Sequence, residues 1–308
     1  MLTRFDAMLD GWKSGPLEFS PQRFGKVCVC DGGLIEVSGL SVPVGALCRI
    51  AYGGGSSLGA EVIGFRNGRT LMVLLGDPVL LRPGAIVRPD GKAGMVPVGN
   101  GFLGRAVDGL AEPIDGSGPI GNTTLWPSDG QREHALERAP VCVPFDTGLR
   151  AINALMTVGV GQRIGIMAGS GVGKSVLIEM IAAGSQADVV VVGLIGERAR
   201  EVSDFVARHM RGDSAGKTTI VAVPADHAPN LRLRAARLAT GMAEFHRSQG
   251  KRVLLIIDSL TRIAHAAREI ALLLGEPGAA RGYPPSALAT ITRLVERSGN
   301  SARSGGAV

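Results

Sequence analysis

One short glycine-rich run limits most strongly how this chain can fold. Residues 168–175 read AGSGVGKS and lie between the apolar stretch QRIGIMA and the helix-forming stretch VLIEMIAAG. Glycines let the backbone turn its N–H groups inward, and a helix N-terminus adds positive potential at the same point. The pattern therefore predicts a strand, a phosphate-binding loop and a helix.

Each part of this loop has an expected contact. Lys174 would reach the outer phosphates, and the hydroxyl of Ser175 would bind Mg²⁺. The usual pattern is GxxxxGK[ST], and Ala168 occupies its first glycine position, which is a small change. An ordinary glycine turn is the alternative, since GK[ST] tripeptides arise by chance in a chain with 45 glycines. The candidate nucleotide-binding residues are Ala168, Gly169, Ser170, Gly171, Val172, Gly173, Lys174, Ser175 and Val176.

The composition is that of a globular protein with about two domains. The chain has 308 residues, 45% of them hydrophobic, and no apolar run is long enough to cross a membrane. Its N-terminus lacks the apolar core and cleavage site of a signal peptide, which predicts a cytoplasmic protein. The net charge is +6, but aromatic residues make up only 4%, which argues against a stacking platform for RNA. No nucleic-acid partner is therefore expected.

The cysteines do not predict a metal site. The four of them form no CxxC pair, and no histidine lies near them at ligand spacing. Cys28 and Cys30 are two residues apart in a predicted strand, so we expect them to face one side as small buried hydrophobic residues.

The chain divides into three parts that differ in sequence pattern. Residues 1–20 have apolar side chains at helical spacing, and this amphipathic segment could dock on its own domain or bind a partner helix. Residues 21–95 contain short strand-like runs separated by glycines, which predict a small β-barrel or sandwich. Residues 96–308 begin with a loop-rich connector over 97–147. Beyond it apolar strands alternate with amphipathic helices, which predicts a parallel sheet covered on both faces.

Acidic residues follow two of these strands, at the sheet edge where the phosphate loop also lies. Asp258 ends the apolar run VLLII, where its carboxylate could serve Mg²⁺; the alternative is a helix N-cap. Glu197 follows VVVVGLIG and could polarise the attacking water, while the adjacent Arg198 could balance charge on the phosphate. An exposed pair at a helix start is the alternative for these two residues.

Several long motifs together carry a family resemblance. The segments GQRIGIMAGSGVGKS, GLIGERAREV, LLIIDSLTRIAHAAREIALLLGEP and RGYPPSALATITRLVERSGN resemble the flagellum-specific and type III secretion export ATPases. These enzymes are related to the catalytic subunit of rotary ATP synthases. The likeness covers nearly the whole chain, and Ala168 is a trait of the export enzymes. We favour the flagellar branch over the injectisome.

The resemblance implies an α/β fold, in which a small N-terminal β-barrel precedes a RecA-like P-loop ATPase domain. It implies ATP and Mg²⁺ as ligands, with Lys174, Glu197 and Arg198 as catalytic residues and Ser175 and Asp258 serving the metal. It also implies a cytoplasmic homohexamer, peripheral at the inner-membrane export gate, that unloads substrate proteins. Chaperones, export substrates and a regulator dimer at the N-terminal helix are the other implied partners.

The sequence departs from the family in three places. Asn153 stands where the family usually has aspartate, and we expect a weaker local cap or ion pair there. His246 replaces an aromatic residue, which predicts looser helix packing. After ERSGN the family continues into another strand and a helical domain, whereas this sequence reads SARSGGAV. A sheet lacking that strand, between the P-loop strand and the Asp258 strand, is expected to be poorly stable and the chain to turn over little ATP.

Two other functions remain open at this stage. A non-catalytic nucleotide-binding subunit would keep the fold but tends to carry a neutral residue in place of Glu197. A hexameric RNA translocase shares the P-loop core, but it would need aromatic platforms in residues 22–95. The aromatic residues there are Phe24, Tyr52 and Phe65.

Overall fold

Two bodies of β-structure, a barrel and a parallel sheet, organise the chain. The computed structural model describes residues 24–53, 56–76, 81–91, 93–131, 133–169, 171–210 and 214–308. The predicted amphipathic segment 1–20 and Ser170 lie outside these ranges. Within them, no helix has the length and apolar content needed to span a bilayer.

The first body is a closed six-stranded antiparallel barrel with strand order β1-β2-β5-β4-β3-β6. Its inward side chains, such as Ile35, Ile50 and Met72, are fully buried and fill the interior. The barrel, and not the sandwich, is therefore confirmed. Its strands are β1 (Gly25–Asp31), β2 (Leu34–Ser38), β3 (Leu47–Gly53), β4 (Ser56–Arg66), β5 (Arg69–Leu74) and β6 (Ile86–Asp90).

A bulge in β1 changes the expected orientation of its cysteines. The pairing of β1 with β2 shifts register between Val27 and Val29, so Cys28 lies at an irregular position. Cys28 is half-buried and Cys30 is exposed, so the prediction that both are buried is wrong. Strict alternation of sides fails wherever an extra residue enters one strand.

The connector contains short strands that the sequence pattern did not reveal. They are β7 (Met95–Val98), β8 (Ala106–Val107), β9 (Thr124–Pro127), β10 (Arg138–Ala139) and β11 (Pro144–Phe145). Strand β8 pairs in parallel with the central sheet through Ala106 and Ile220. The connector thus supplies one edge of that sheet.

The second body is a parallel sheet with strand order β15-β13-β14-β8. Its three longer strands are β13 (Val189–Ile195), β14 (Thr218–Val223) and β15 (Val253–Asp258). All seven residues of β13 are buried, with Val189 and Val191 facing one apolar cluster and Val190 and Val192 facing another. This packing on both faces explains why the sequence of β13 is apolar throughout.

Helices cover both faces of this sheet. In chain order they are α1 (Arg150–Leu155), α2 (Lys174–Gly184), α3 (Ala199–His209), α4 (Pro229–Ser248), α5 (Leu260–Leu273) and α6 (Pro285–Glu296). Helix α4 packs against the Val191 face, whereas α2 and α3 cover the Val192 face. Short strands β12 (Val158–Gly159) and β16 (Asn300–Ser301) pair with β11 and β10.

The strand predicted over QRIGIMA does not form, although the helix after the loop does. Residues 162–168 pair with no neighbouring strand, and Met167 is 95% exposed. A cavity of about 230 Å³ separates this segment from the outer edge of β15. That edge is paired at its start, where the Val253 N–H donates to the carbonyl of Ala307 at 2.8 Å. An apolar sequence forms a strand only where a partner accepts its backbone groups.

Two departures from the family pattern have consequences in the structure. Asn153 accepts hydrogen bonds from the N–H and hydroxyl of Thr147, at 3.1 and 2.9 Å, and donates to Asp146 at 2.6 Å. The amide thus both accepts and donates, and the expectation of a weaker cap than aspartate would give stays a prediction. His246 is 1% exposed and packs edge to face on Phe245, and the expectation of looser packing than with an aromatic residue stays a prediction.

Candidate functional site

A cavity of about 750 Å³ lies where the glycine-rich loop meets the carboxyl ends of β13 and β15. Open α/β sheets bind ligands at this edge, because the loops following parallel strands meet there. The predicted residues that line it are Ala168, Gly169, Gly171, Gly173, Lys174, Ser175, Val176, Glu197 and Arg198. Val172 is exposed and does not line the cavity.

The backbone explains the glycines of the loop. Gly171 and Gly173 have φ angles of 80° and 96°, in the left-handed region that other residues rarely adopt. Gly173 is the N-cap of α2, and no side chain caps this helix end. The first N–H groups of α2 are therefore available to an anion. Ala168 needs no such conformation, which is why alanine is tolerated at the first position.

Lys174, which lines the cavity, forms an ion pair with Asp258, which does not. Lys174 starts α2, and Asp258 is the last residue of β15, with its side chain 8% exposed. The sequence placed both at this site, and the structure brings them into direct contact. A lysine held beside the phosphate loop by a carboxylate is placed to exchange that partner for a phosphate oxygen.

Glu197 lies at the tip of β13 and is half-buried. Its carbonyl accepts a hydrogen bond from the N–H of Ala225 at 3.1 Å, which fixes the backbone after the strand. Burial raises the pKa of its carboxyl, and the nearby Asp258 carboxylate raises it further. Both effects make this group a better proton acceptor than an exposed glutamate.

Arg198, unlike Glu197, is mostly exposed. Its guanidinium lies 3.5 Å from the carboxylate of Glu201, one helical turn away, and is 68% exposed. The alternative of an exposed pair at a helix start therefore describes Arg198, although its side chain still lines the cavity.

Arg262 is a cavity residue that the sequence reasoning missed. It lies in the first turn of α5, four residues after Asp258, and lines the cavity together with Ser259 and Thr261. Its side chain packs on Gly196, where an added Cβ would lie 2.8 Å from the Cβ of Arg262. Its charge opposes the rise in the pKa of Glu197. The sequence signal that could have placed Arg262 at the cavity was its position four residues after Asp258, in the first turn of a helix that begins after Ser259.

The donor set fits a hard divalent cation next to a polyphosphate. The Asp258 carboxylate and the Ser175 hydroxyl offer oxygen ligands, which Mg²⁺ prefers. Among the residues described above, at this site or outside it, no group of three or more His, Cys, Asp or Glu side chains is placed to hold a metal ion. Asp258 and Ser175 are thus the residues that would hold such an ion.

Comparison with known proteins gives consistent results. Residues 148–308 match the model of the ATP synthase alpha/beta family, nucleotide-binding domain. The chain is 43% identical over 99% of its length to the flagellum-specific ATP synthase of Pseudomonas aeruginosa, of which it covers 69%. It is 42% identical over 90% of its length to the type 3 secretion system ATPase of Xanthomonas euvesicatoria, of which it covers 63%. The assembled ATPase EscN of the enteropathogenic E. coli type III secretion system has a similar structure, with a TM-score of 0.83 and 36% identity, covering 92% of this chain and 68% of that one.

Proposed function

The chain belongs to the ATP synthase alpha/beta family, in the branch of flagellum-specific and type III secretion ATPases, and we propose that it is an Mg-ATP-hydrolysing motor subunit of a type III export apparatus. In this role it energises the unloading and export of substrate proteins. We assign it to the flagellar apparatus, because a flagellar relative matches over 99% of the chain and a secretion relative over 90%.

One observation carries the proposal. A phosphate-binding lysine and a half-buried glutamate at the end of β13 line one cavity, and a carboxylate at the end of β15 is ion-paired with that lysine. ATP hydrolysis needs these three functions together, since the phosphate must be held, its charge balanced and a water oriented. A binding module would need only the first of them.

Each residue has a role in this proposal. Lys174 holds the outer phosphates, while the loop residues 168–176 bind the phosphate chain through backbone N–H groups. Mg²⁺ would balance phosphate charge, with Ser175 and Asp258 as its protein ligands. Glu197 orients the attacking water and takes up its proton at the carboxylate. Arg198 is assigned to the phosphate site by resemblance, and reaching it requires the release of Glu201.

The wider assignments follow from the family. We propose domains at 21–95 and 96–308, preceded by a helical segment at 1–20 that binds a regulator dimer. The subunit would act as a homohexamer in the cytoplasm, peripheral to the inner membrane at the export gate, with chaperones and export substrates as partners. The share of the Pseudomonas relative that the chain covers, 69%, includes the barrel and the phosphate site.

Two other functions are less well supported. A non-catalytic subunit has no use for a half-buried glutamate with a raised pKa beside the phosphate loop. An RNA translocase would require stacked aromatic side chains on the barrel, and the described barrel strands contain only Tyr52 and Phe65.

Steady-state hydrolysis by the purified chain tests the proposal. Phosphate release from ATP is measured with Mg²⁺, with EDTA and with added RNA, and Lys174→Met is the matched control. We expect release that is slow, because the segment before the loop forms no strand, that needs Mg²⁺ and Lys174, and that RNA does not stimulate. Hydrolysis that persists in Lys174→Met would contradict the assignment of the site, and stimulation by RNA would favour the translocase.

A further inference from the structure

The phosphate-binding end of α2 has little support of its own. Residues 164–169, which lead into the loop, are exposed and form no strand, whereas Arg163 before them is ion-paired with Glu296. In the first half of the helix, Val176 is 58% exposed. The side chains that bury α2 against the sheet, Ile178, Ile181 and Ala182, all lie beyond its first turn. The packing that sets the axis of α2 therefore lies toward the other end of the helix, while the Lys174 ammonium group is also held by Asp258.

That other end is in close contact with the backbone before α1. Gly184, the last residue of α2, packs on Gly148, and a Cβ on Gly184 would lie 3.3 Å from the Cα of Gly148. Two residues further on, the N–H of Gln186 donates to the carbonyl of Asp146 at 3.1 Å. These contacts fix the distance between the two segments.

Lys217 also holds the C-terminal end of α2. Its ammonium group donates to the carbonyl of Ser185 at 3.0 Å and to that of Ala187 at 3.1 Å. Ser185 is the C-cap of α2, so a cation here also complements the negative end of the helix dipole. Lys217 directly precedes Thr218, which is fully buried at the start of β14. The ammonium group is therefore anchored to the central sheet.

We propose that Lys217 is a positioning residue for ATP hydrolysis, which holds the axis of α2 and through it the place of Lys174. The helix is about 15 Å long, so a tilt of about 4° at its C-terminal end moves Lys174 by about 1 Å. A misplacement of about 1 Å in a catalytic site can cost about a hundredfold in rate. Lys217 touches none of the residues that line the phosphate cavity.

The inference rests on the proposed function, and its test separates the two. Affinity for a fluorescent ATP analogue and kcat/KM for Mg-ATP are measured on the full chain, for the parent and for Lys217→Met and Lys217→Arg. Lys217→Met is expected to lower kcat/KM about tenfold, whereas Lys217→Arg keeps a donor for the carbonyls and remains within about threefold of the parent. A parent that binds no Mg-ATP overturns the proposed function and this inference with it.

A structural role alone would give a different result. Val62→Ala, in the buried interior of the barrel, serves as the control that destabilises the chain far from α2. If Val62→Ala lowers the melting temperature as much as Lys217→Met and lowers kcat/KM equally, Lys217 acts only through stability and the inference fails.

Gly184→Ala gives a second test that does not depend on lost stability. Alanine favours a helix over glycine, but its Cβ pushes the end of α2 away from Gly148 by a few tenths of an ångström. We expect an unchanged or higher melting temperature together with a lower kcat/KM. Parent-like kinetics in both Gly184→Ala and Lys217→Met would overturn the proposal.

Discussion

Lys174 and Asp258 satisfy each other's charge at the centre of the phosphate site. The pair joins the first residue of α2 to the last residue of β15, two elements whose positions are otherwise set by separate contacts. Any phosphate that enters must draw the ammonium group away from the carboxylate. Mg²⁺ offers the carboxylate a replacement cation, so binding of the metal and of the phosphates should be coupled.

The first prediction concerns this coupling. Asp258→Asn removes the charge but keeps the shape, so Lys174 becomes free to bind phosphate without Mg²⁺. We expect the gain in nucleotide affinity on adding Mg²⁺ to fall by about tenfold, the equivalent of one charge-assisted hydrogen bond of about 1.5 kcal/mol. Titration with nucleotide in Mg²⁺ and in EDTA measures this. The same dependence on Mg²⁺ in parent and variant would speak against the role of Asp258.

The second prediction concerns Glu197. Glu197→Gln should lower kcat by about a hundredfold or more and leave nucleotide binding intact, because an amide cannot take up the proton. Since burial raises the pKa of Glu197, the rate of the parent should rise with pH through a value above that of an exposed glutamate. Phosphate release across pH measures both effects. Glu201→Gln, on the same cavity wall, is the control and should keep that pH profile.

The third prediction concerns a buried ion pair formed by Glu244 of helix α4. Arg297 donates two hydrogen bonds of 2.8 Å to Glu244, whose side chain is 2% exposed and also accepts from the Trp126 indole. Arg297→Met leaves that carboxylate without a cation and should lower the free energy of unfolding by about 3–5 kcal/mol. Urea denaturation measures the loss.

An exposed pair provides the comparison for Arg297. Arg49 and Asp90 lie 2.7 Å apart on the barrel, with side chains 63% and 44% exposed. Arg49→Met should cost less than about 1 kcal/mol, because water screens this pair. Equal losses for the two variants would mean that burial does not control the strength of the Glu244 pair.

The fourth prediction concerns His246. Burial lowers the pKa of His246 from 6.5 to about 4, so the folded chain keeps it neutral while the unfolded chain protonates it. The unfolded state then binds more protons as the pH falls from about 6.5 to about 4, and stability drops over that window by about 3 kcal/mol. His246→Phe should remove this part of the acid sensitivity. Melting temperatures at pH 7 and pH 5 test it, and an unchanged difference between the two would rule it out.

The sequence correctly predicted the elements whose secondary structure follows from their own side chains. The apolar runs VVVVGLI in β13 and VLLII in β15 lie within a sheet covered on both faces, as expected. The loop glycines, Lys174 and Glu197 line one cavity for the same reason, since parallel strands end together, and Asp258 reaches it through its ion pair with Lys174. The predicted α/β fold with its barrel, and the ATPase family, are confirmed.

The incorrect or missing predictions concern segments whose structure depends on a pairing or packing partner elsewhere in the chain. The apolar residues before Ala168 match a strand, but no strand in the described chain pairs with them. Strand β8 is too short to show a pattern, and it forms because the edge of β14 accepts it. Arg262 was missed because its role depends on Gly196, which is distant in sequence and close in space. Propensity cannot report such contacts.

The outer edge of β15 also determines how copies of this chain behave together. Backbone N–H and C=O groups along an apolar strand form a template on which another strand can add. The net charge of +6 keeps copies apart only over a Debye length, about 10 Å at 0.1 M salt. Solubility should therefore fall as the salt concentration rises. This loss should occur even at temperatures well below those at which the barrel or the sheet unfolds.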